Sequence, residues 1–181
     1  AIKEKEAQQY AIDSINIKGY NGNIYFKQGE TNDLLIEHQF EFKHDLDLSV
    51  EDSKLNLSLE MTKAYDILNL LNEPTQNLII YVPNNYNSFS IDIDMDESIV
   101  DISDLSNILN ARIVIESKGT LSIVNSNISL LQVKGYEMNF AVASSNIVAQ
   151  AEIDITKGQI LVQQNSKLGV VGILNGSSYI K

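Results

Sequence analysis

The chain has 181 residues, 44% hydrophobic and 20% charged, which suits one continuous core and excludes wholesale disorder. Twenty-four acidic residues against 13 basic ones leave a net charge of −11, with Arg112 the only arginine, so the clustered cations that nucleic acid or an anionic lipid surface needs are missing. The sequence has no cysteine, which excludes disulfides, thiolate metal sites and a cysteine nucleophile.

The opening Ala1-Ile-Lys-Glu-Lys-Glu is neither an initiator Met nor a signal peptide. The natural N-terminus, with any membrane anchor, is therefore expected upstream. No apolar run approaches the roughly 20 residues that span a bilayer. From Ala11 to Phe42 the apolar residues follow a period of two, as in Ile15/Ile17 and Ile24/Phe26. Gly19-Tyr-Asn-Gly-Asn between them reads as a turn. Leu46/Leu48/Val50 and Leu55/Leu57/Leu59, separated by Glu51–Lys54, predict a hairpin over Leu46–Met61. Lys63–Asn72 is the one candidate helix, with Ile67, Leu68, Leu70 and Leu71 on its apolar face and Pro74 beyond its end, although a loop suits it nearly as well. Leu78–Val82 reads as a buried strand stopped by Pro83.

Beyond Pro83–Asn87 the pattern becomes a repeat. Val100/Ile102, Leu121/Ile123, Phe140/Val142 and Ile160/Val162 recur at steps of 21, 19 and 20 residues. Ile91/Ile93, Ile113/Ile115, Val133, Ile153/Ile155 and Ile173 form a second series. Ile108, Ile128/Leu130, Ile147 and Leu168/Val170 form a third. Ser106-Asn107, Ser126-Asn127, Ser145-Asn146 and Asn165-Ser166 punctuate them at the same interval. One twenty-residue coil cannot bury its inward side alone, whereas stacked coils share a continuous core. The expected fold is therefore all-β: a right-handed parallel β-helix, or β-solenoid, with three short strands per coil. Residues 88–181 would form the regular coils. Residues 1–87 would be an irregular β part, with Asp45–Gln76 capping the stack in a single continuous domain. An antiparallel sandwich explains the short strands but not the twenty-residue step. Asn107, Asn127 and Asn146 are expected to form a turn ladder.

Little is left to carry chemistry. Asp92, Asp94 and Asp96, with Glu97, form the densest acidic cluster. Alternate carboxylates on a strand are candidate calcium ligands or a polysaccharide-cleaving pair, against the plainer reading of a solvated strand face. His38 and His44 match no zinc spacing. No serine-nucleophile elbow, phosphate loop or dinucleotide fingerprint occurs. The eight tyrosines form no regular stripe. No catalytic residue, cofactor or firm metal site is assigned.

Leu78-Ile-Ile-Tyr-Val-Pro, Phe89-Ser-Ile-Asp-Ile and Ser98-Ile-Val-Asp-Ile-Ser-Asp-Leu resemble a bacterial family of domains of unknown function labelled putative adhesins. Members occur in Gram-positive envelope-stress operons of Lia type. Ile15-Asn-Ile, Gly22-Asn-Ile-Tyr-Phe and Leu34-Leu-Ile-Glu are similar to the family's opening strands. The resemblance covers most of the chain, though Asn and Ser stand here where relatives turn on Gly-Asp or Ser-Gly. It implies a β-helical, non-enzymatic envelope domain outside the membrane that binds a protein, a peptide or a cell-wall component. A self-associating structural spacer and a polysaccharide-acting enzyme are the alternatives.

Overall fold

The computed structural model describes residues 2–8, 11–40, 45–60, 76–86, 88–163, 165–173 and 177–180. The described residues are all-β and form one sheet of thirteen strands. The first seven are β1 (Ile2–Gln8), β2 (Ser14–Asn21), β3 (Asn23–Gln28), β4 (Leu34–Phe40), β5 (Asp45–Glu51), β6 (Lys54–Glu60) and β7 (Gln76–Val82). Four long strands follow: β8 (Phe89–Ser103), β9 (Ile108–Val124), β10 (Asn127–Ala143) and β11 (Asn146–Val162). The short β12 (Lys167–Ile173) and β13 (Ser177–Ile180) end the chain. The candidate helix Lys63–Asn72 and His44 lie outside the described residues.

β8 to β12 pair in parallel in sequence order, and the apolar repeats align as rows of strand partners. Ile93, Ile113, Val133, Ile153 and Ile173 are successive partners. So are Val100, Leu121, Phe140 and Ile160. Ile108, Ile128, Ile147 and Leu168 make a third row. Period-two side chains on parallel strands stack over one another, so each β-branched residue packs on its equivalent in the next strand. The sequence series differs from the observed register at one step: Ile91 stands opposite Ala111, and Ile93 opposite Ile113. Ala111 is a core position too small to read as one.

The first strands belong to the same stack. β2 lies between β6 and β8, parallel to both, with Ile15 opposite Leu55 and Ile91. β3 lies between β7 and β8 in the same sense. One core cluster therefore runs from Ile12 to Ile160, across the boundary expected at 87/88.

Two features depart from the expected parallel β-helix of three short strands per coil. First, each twenty-residue repeat is one strand of 15 to 17 residues, broken only by register shifts such as that between Met95 and Glu97. The ladder hydrogen bonds continue through these irregularities, so the strand does not end there. Second, the sheet is mixed. β5 and β6 form the antiparallel hairpin that the sequence predicts, because Asp52 and Ser53 both take positive φ (49° and 62°) in a two-residue turn, and such a turn joins only antiparallel strands. β4 runs antiparallel to both β1 and β7.

Links of two to four residues join the long strands, and each contains a non-glycine residue at positive φ: Asp104, Asn107, Asn125, Ser144 or Asn165. Asn127 and Asn146 stand opposite one another at the first positions of β10 and β11, while Asn107 precedes β9 with φ 64°. The corner hydrogen bonds run through serines. Ser126 N–H donates to Ser145 Oγ (3.0 Å), and Leu105 N–H donates to Ser126 Oγ (3.2 Å). Ser126 Oγ donates in turn to the Val124 carbonyl and Ser145 Oγ to that of Ala143. Both serines are buried, and a hydroxyl that donates and accepts is what an inward polar position needs.

Candidate functional site

The side chains that alternate with the core rows form rows of their own. One contains Asn56, Asn16, Asp92, Arg112, Gln132 and Glu152, each opposite the next on successive strands. Two residues earlier on each strand stand Lys54, Ser14, Ser90, Asn110, Leu130 and Gln150. Apart from Asn56 and Asn16, the residues of these rows line a groove of about 450 Å³ that crosses β6, β2, β8, β9, β10 and β11. Neighbouring strands lie about 4.8 Å apart, so the groove runs across several of them at roughly right angles to the chain.

Its chemistry is mixed. Leu130 gives an exposed aliphatic wall, and Leu109 and Val148 are exposed nearby in sequence on the adjoining strands. Asn110, Gln132 and Gln150 offer amides, which both donate and accept. At the centre Arg112 Nη1 donates to Asp92 Oδ1 at 3.0 Å, with about half of each side chain exposed. Beyond it, Val114 is 5% exposed even though its row faces solvent. A second depression extends the groove past Val114 toward Lys134 and Asp154.

The sequence candidates are distributed along this face. Asp92 is held by Arg112, and Asp96 accepts a hydrogen bond from Ser117 Oγ (2.7 Å). Asp94 stands opposite Lys18 and Val114. Among the described residues no three His, Asp or Glu side chains converge as a metal site. His38 is buried, with Nε2 3.0 Å from Gln76 Oε1, while Gln76 Nε2 donates to the Asn21 carbonyl.

A second groove, of about 440 Å³, crosses the long strands farther along, past their midpoints. Glu97, Lys118, Glu137 and Lys157 alternate in charge along it, each opposite the next. The ammonium of Lys157 lies 5.4 Å from the centre of the exposed Tyr136 ring. Near the start of β8, the Tyr86 ring meets Phe89 edge-on at 5.0 Å. Burial, and after it the Asp13 carboxylate, push the Tyr86 phenol up to about 12.

Sequence reasoning singled out Asp92 but not the groove, because Asn, Gln and Leu at these positions look like ordinary strand residues. The signal was present: Asp92, Arg112, Gln132 and Glu152 are spaced by twenty, as the core rows are.

No family model matches the chain, and neither does any curated protein. Among solved structures, a putative cell adhesion protein from Clostridium sporogenes is similar at 11% identity, covering 99% of this chain and 98% of that one, with a TM-score of 0.44. A putative adhesin from Bacteroides fragilis is similar at 16% identity over 99% and 95% of the two chains, with a TM-score of 0.38. A putative lipid binding protein from Parabacteroides distasonis is 14% identical over 98% and 95%, with a TM-score of 0.29.

Proposed function

We propose that this chain is a non-enzymatic binding domain of the bacterial cell envelope, displayed outside the membrane, with repeats wound as a right-handed parallel β-helix. The winding is supported by the links. Two residues join Val124 to Asn127, and two join Ala143 to Asn146. A straight strand of 17 residues would be about 55 Å long, and so short a link cannot carry the chain back to a parallel start. Each repeat must therefore curl until its end meets the start of the next. The link hydrogen bonds agree: Asn127 N–H donates to the Leu105 carbonyl, and Asn146 N–H to that of Ser126. The near-universal hand of parallel crossovers supports the right-handed sense.

The binding role rests on one observation, the groove lined by Ser90, Asp92, Asn110, Arg112, Gln132 and Glu152. A surface that alternates amides, one ion pair and an aliphatic wall suits an extended ligand with its own hydrogen-bonding groups, such as a peptide or a cell-wall fragment. The sequence resemblance to envelope domains supports the extracellular setting. Direct binding of extended peptides and Gram-positive wall fragments to immobilised protein tests the reading. Arg112→Ala is expected to reduce capture about tenfold or more, the loss expected when a central charged anchor is removed. Turnover of uronates or wall glycans that disappears in Asp92→Ala/Asp94→Ala would overturn the non-enzymatic role. Failure of protease shaving to reach the protein on intact cells would overturn the surface location.

A further inference from the structure

The C-terminal end of the stack differs from the rest of the molecule. β12 pairs with β11 alone, and so does β13; among the described residues no strand covers their outer edges. An uncovered edge presents backbone N–H and C=O groups ready to pair.

The core is also open there. Ile91, Ala111, Leu131 and Ala151 form a buried row, none more than 2% exposed, yet the next member, Val171, is 40% exposed. Ile102, Ile123 and Val142 are fully buried, whereas their successor Val162 is only partly covered. Leu168 stands in the same relation to Ile147. These positions have core residue types, and among the described residues no further layer covers them.

Charge separates this end from the other one. β12 and β13 carry a single charged residue, the exposed Lys167 that opens β12. At the opposite extremity, edge strand β1 carries Lys3, Glu4, Lys5 and Glu6, and edge strand β5 carries Asp45, Asp47 and Glu51. Charged edges are a protection against strand pairing, and beyond Lys167 the described part of the C-terminal edge has none.

We infer that this end is an interface for a second copy of the chain, C-terminal edge against C-terminal edge. Like ends fit because each presents an apolar stretch whose one charge, Lys167, stands four residues before Val171. A net charge of −11 opposes approach through most other surfaces. Head-to-tail stacking would set the apolar edge against the charged β1 or β5 and would propagate without limit, whereas pairing of like ends about a two-fold axis closes as a dimer. This inference does not depend on the groove.

Sedimentation equilibrium of the 181-residue chain over a wide concentration range tests it. The expected result is a monomer–dimer equilibrium with no larger species. Val171→Lys should weaken the dimer about tenfold or more by burying a charge in the interface. Gly172→Lys guards against misfolding of the first variant, since a Cβ at Gly172 meets nothing within 4 Å. It should weaken the dimer as well, with an unchanged circular dichroism spectrum. Val148→Lys, on an exposed site of β11, should leave the equilibrium unchanged. A monomer at every concentration, a dimer indifferent to both end variants, or open-ended oligomers would each overturn the inference.

Discussion

Arg112 and Asp92 stand directly opposite one another on β9 and β8, and the guanidinium donates to the carboxylate across 3.0 Å. Both side chains are about half exposed, so water screens the pair. A double-mutant cycle in urea should give a coupling below about 1 kcal/mol that shrinks with added salt. Ligand capture by the groove should fall much further than stability in Arg112→Ala. A coupling of several kcal/mol would make the pair a structural element and weaken its assignment to binding.

Ser145 carries the corner between β10 and β11. Its hydroxyl accepts from Ser126 N–H and donates to the Ala143 carbonyl, and the residue is 2% exposed. Ser145→Ala leaves a buried N–H without its acceptor, which costs about 1–3 kcal/mol. Chemical denaturation should show that loss. Ser122→Ala, at a partly exposed strand position, should change stability by less than about 0.5 kcal/mol.

Gly158 takes φ +142°, and a Cβ there would land on the Met138 carbonyl oxygen of the neighbouring strand. Gly158→Ala should destabilise the fold by about 2–4 kcal/mol, through backbone strain together with the clash. Gly172→Ala, with open space around its Cβ, should be neutral or slightly stabilising. Equal melting temperatures for the two variants would contradict the packing at Gly158.

Tyr86 supplies a pH dependence. Its phenol is raised from an ordinary value of 10.0 to about 12, so the folded chain holds this proton more tightly than the unfolded chain does. Stability from this group is complete below pH 10 and is lost as pH rises toward 12, because the unfolded state ionises first. Phenolate absorbance should show a late step near 12 that Tyr86→Phe removes. If the wild type shows no such step, the desolvation of Tyr86 is contradicted.

Much of the strand arrangement was legible because period two and period twenty are both written in residue type. Ile113, Val133 and Ile153 fall on one row because each is inward on its strand and one repeat from the next, and Ile173 pairs with Ile153 in the same register. The order of the first strands was not legible. β2 and β3 precede β6 and β7 in the chain yet stack between them and β8, and alternation alone does not say which neighbour a strand takes. The corner chemistry was half legible: the Ser-Asn pairs marked the turns, but which of the two faces inward depends on the backbone. Asn125 and Ser144 take the left-handed position, while the buried hydroxyls belong to Ser126 and Ser145. The groove was hidden because Gln132 and Asn110 gain meaning only from their partners on adjacent strands.

The groove on β8 to β11 is the centre of this account, and amide NMR shift mapping with wall fragments and extended peptides reads it most directly. The predicted result is a set of perturbed amides at Ser90, Asp92, Asn110, Arg112, Gln132 and Glu152 that vanishes in Arg112→Ala. Shifts clustered on another face, or a set unchanged in Arg112→Ala, would contradict it.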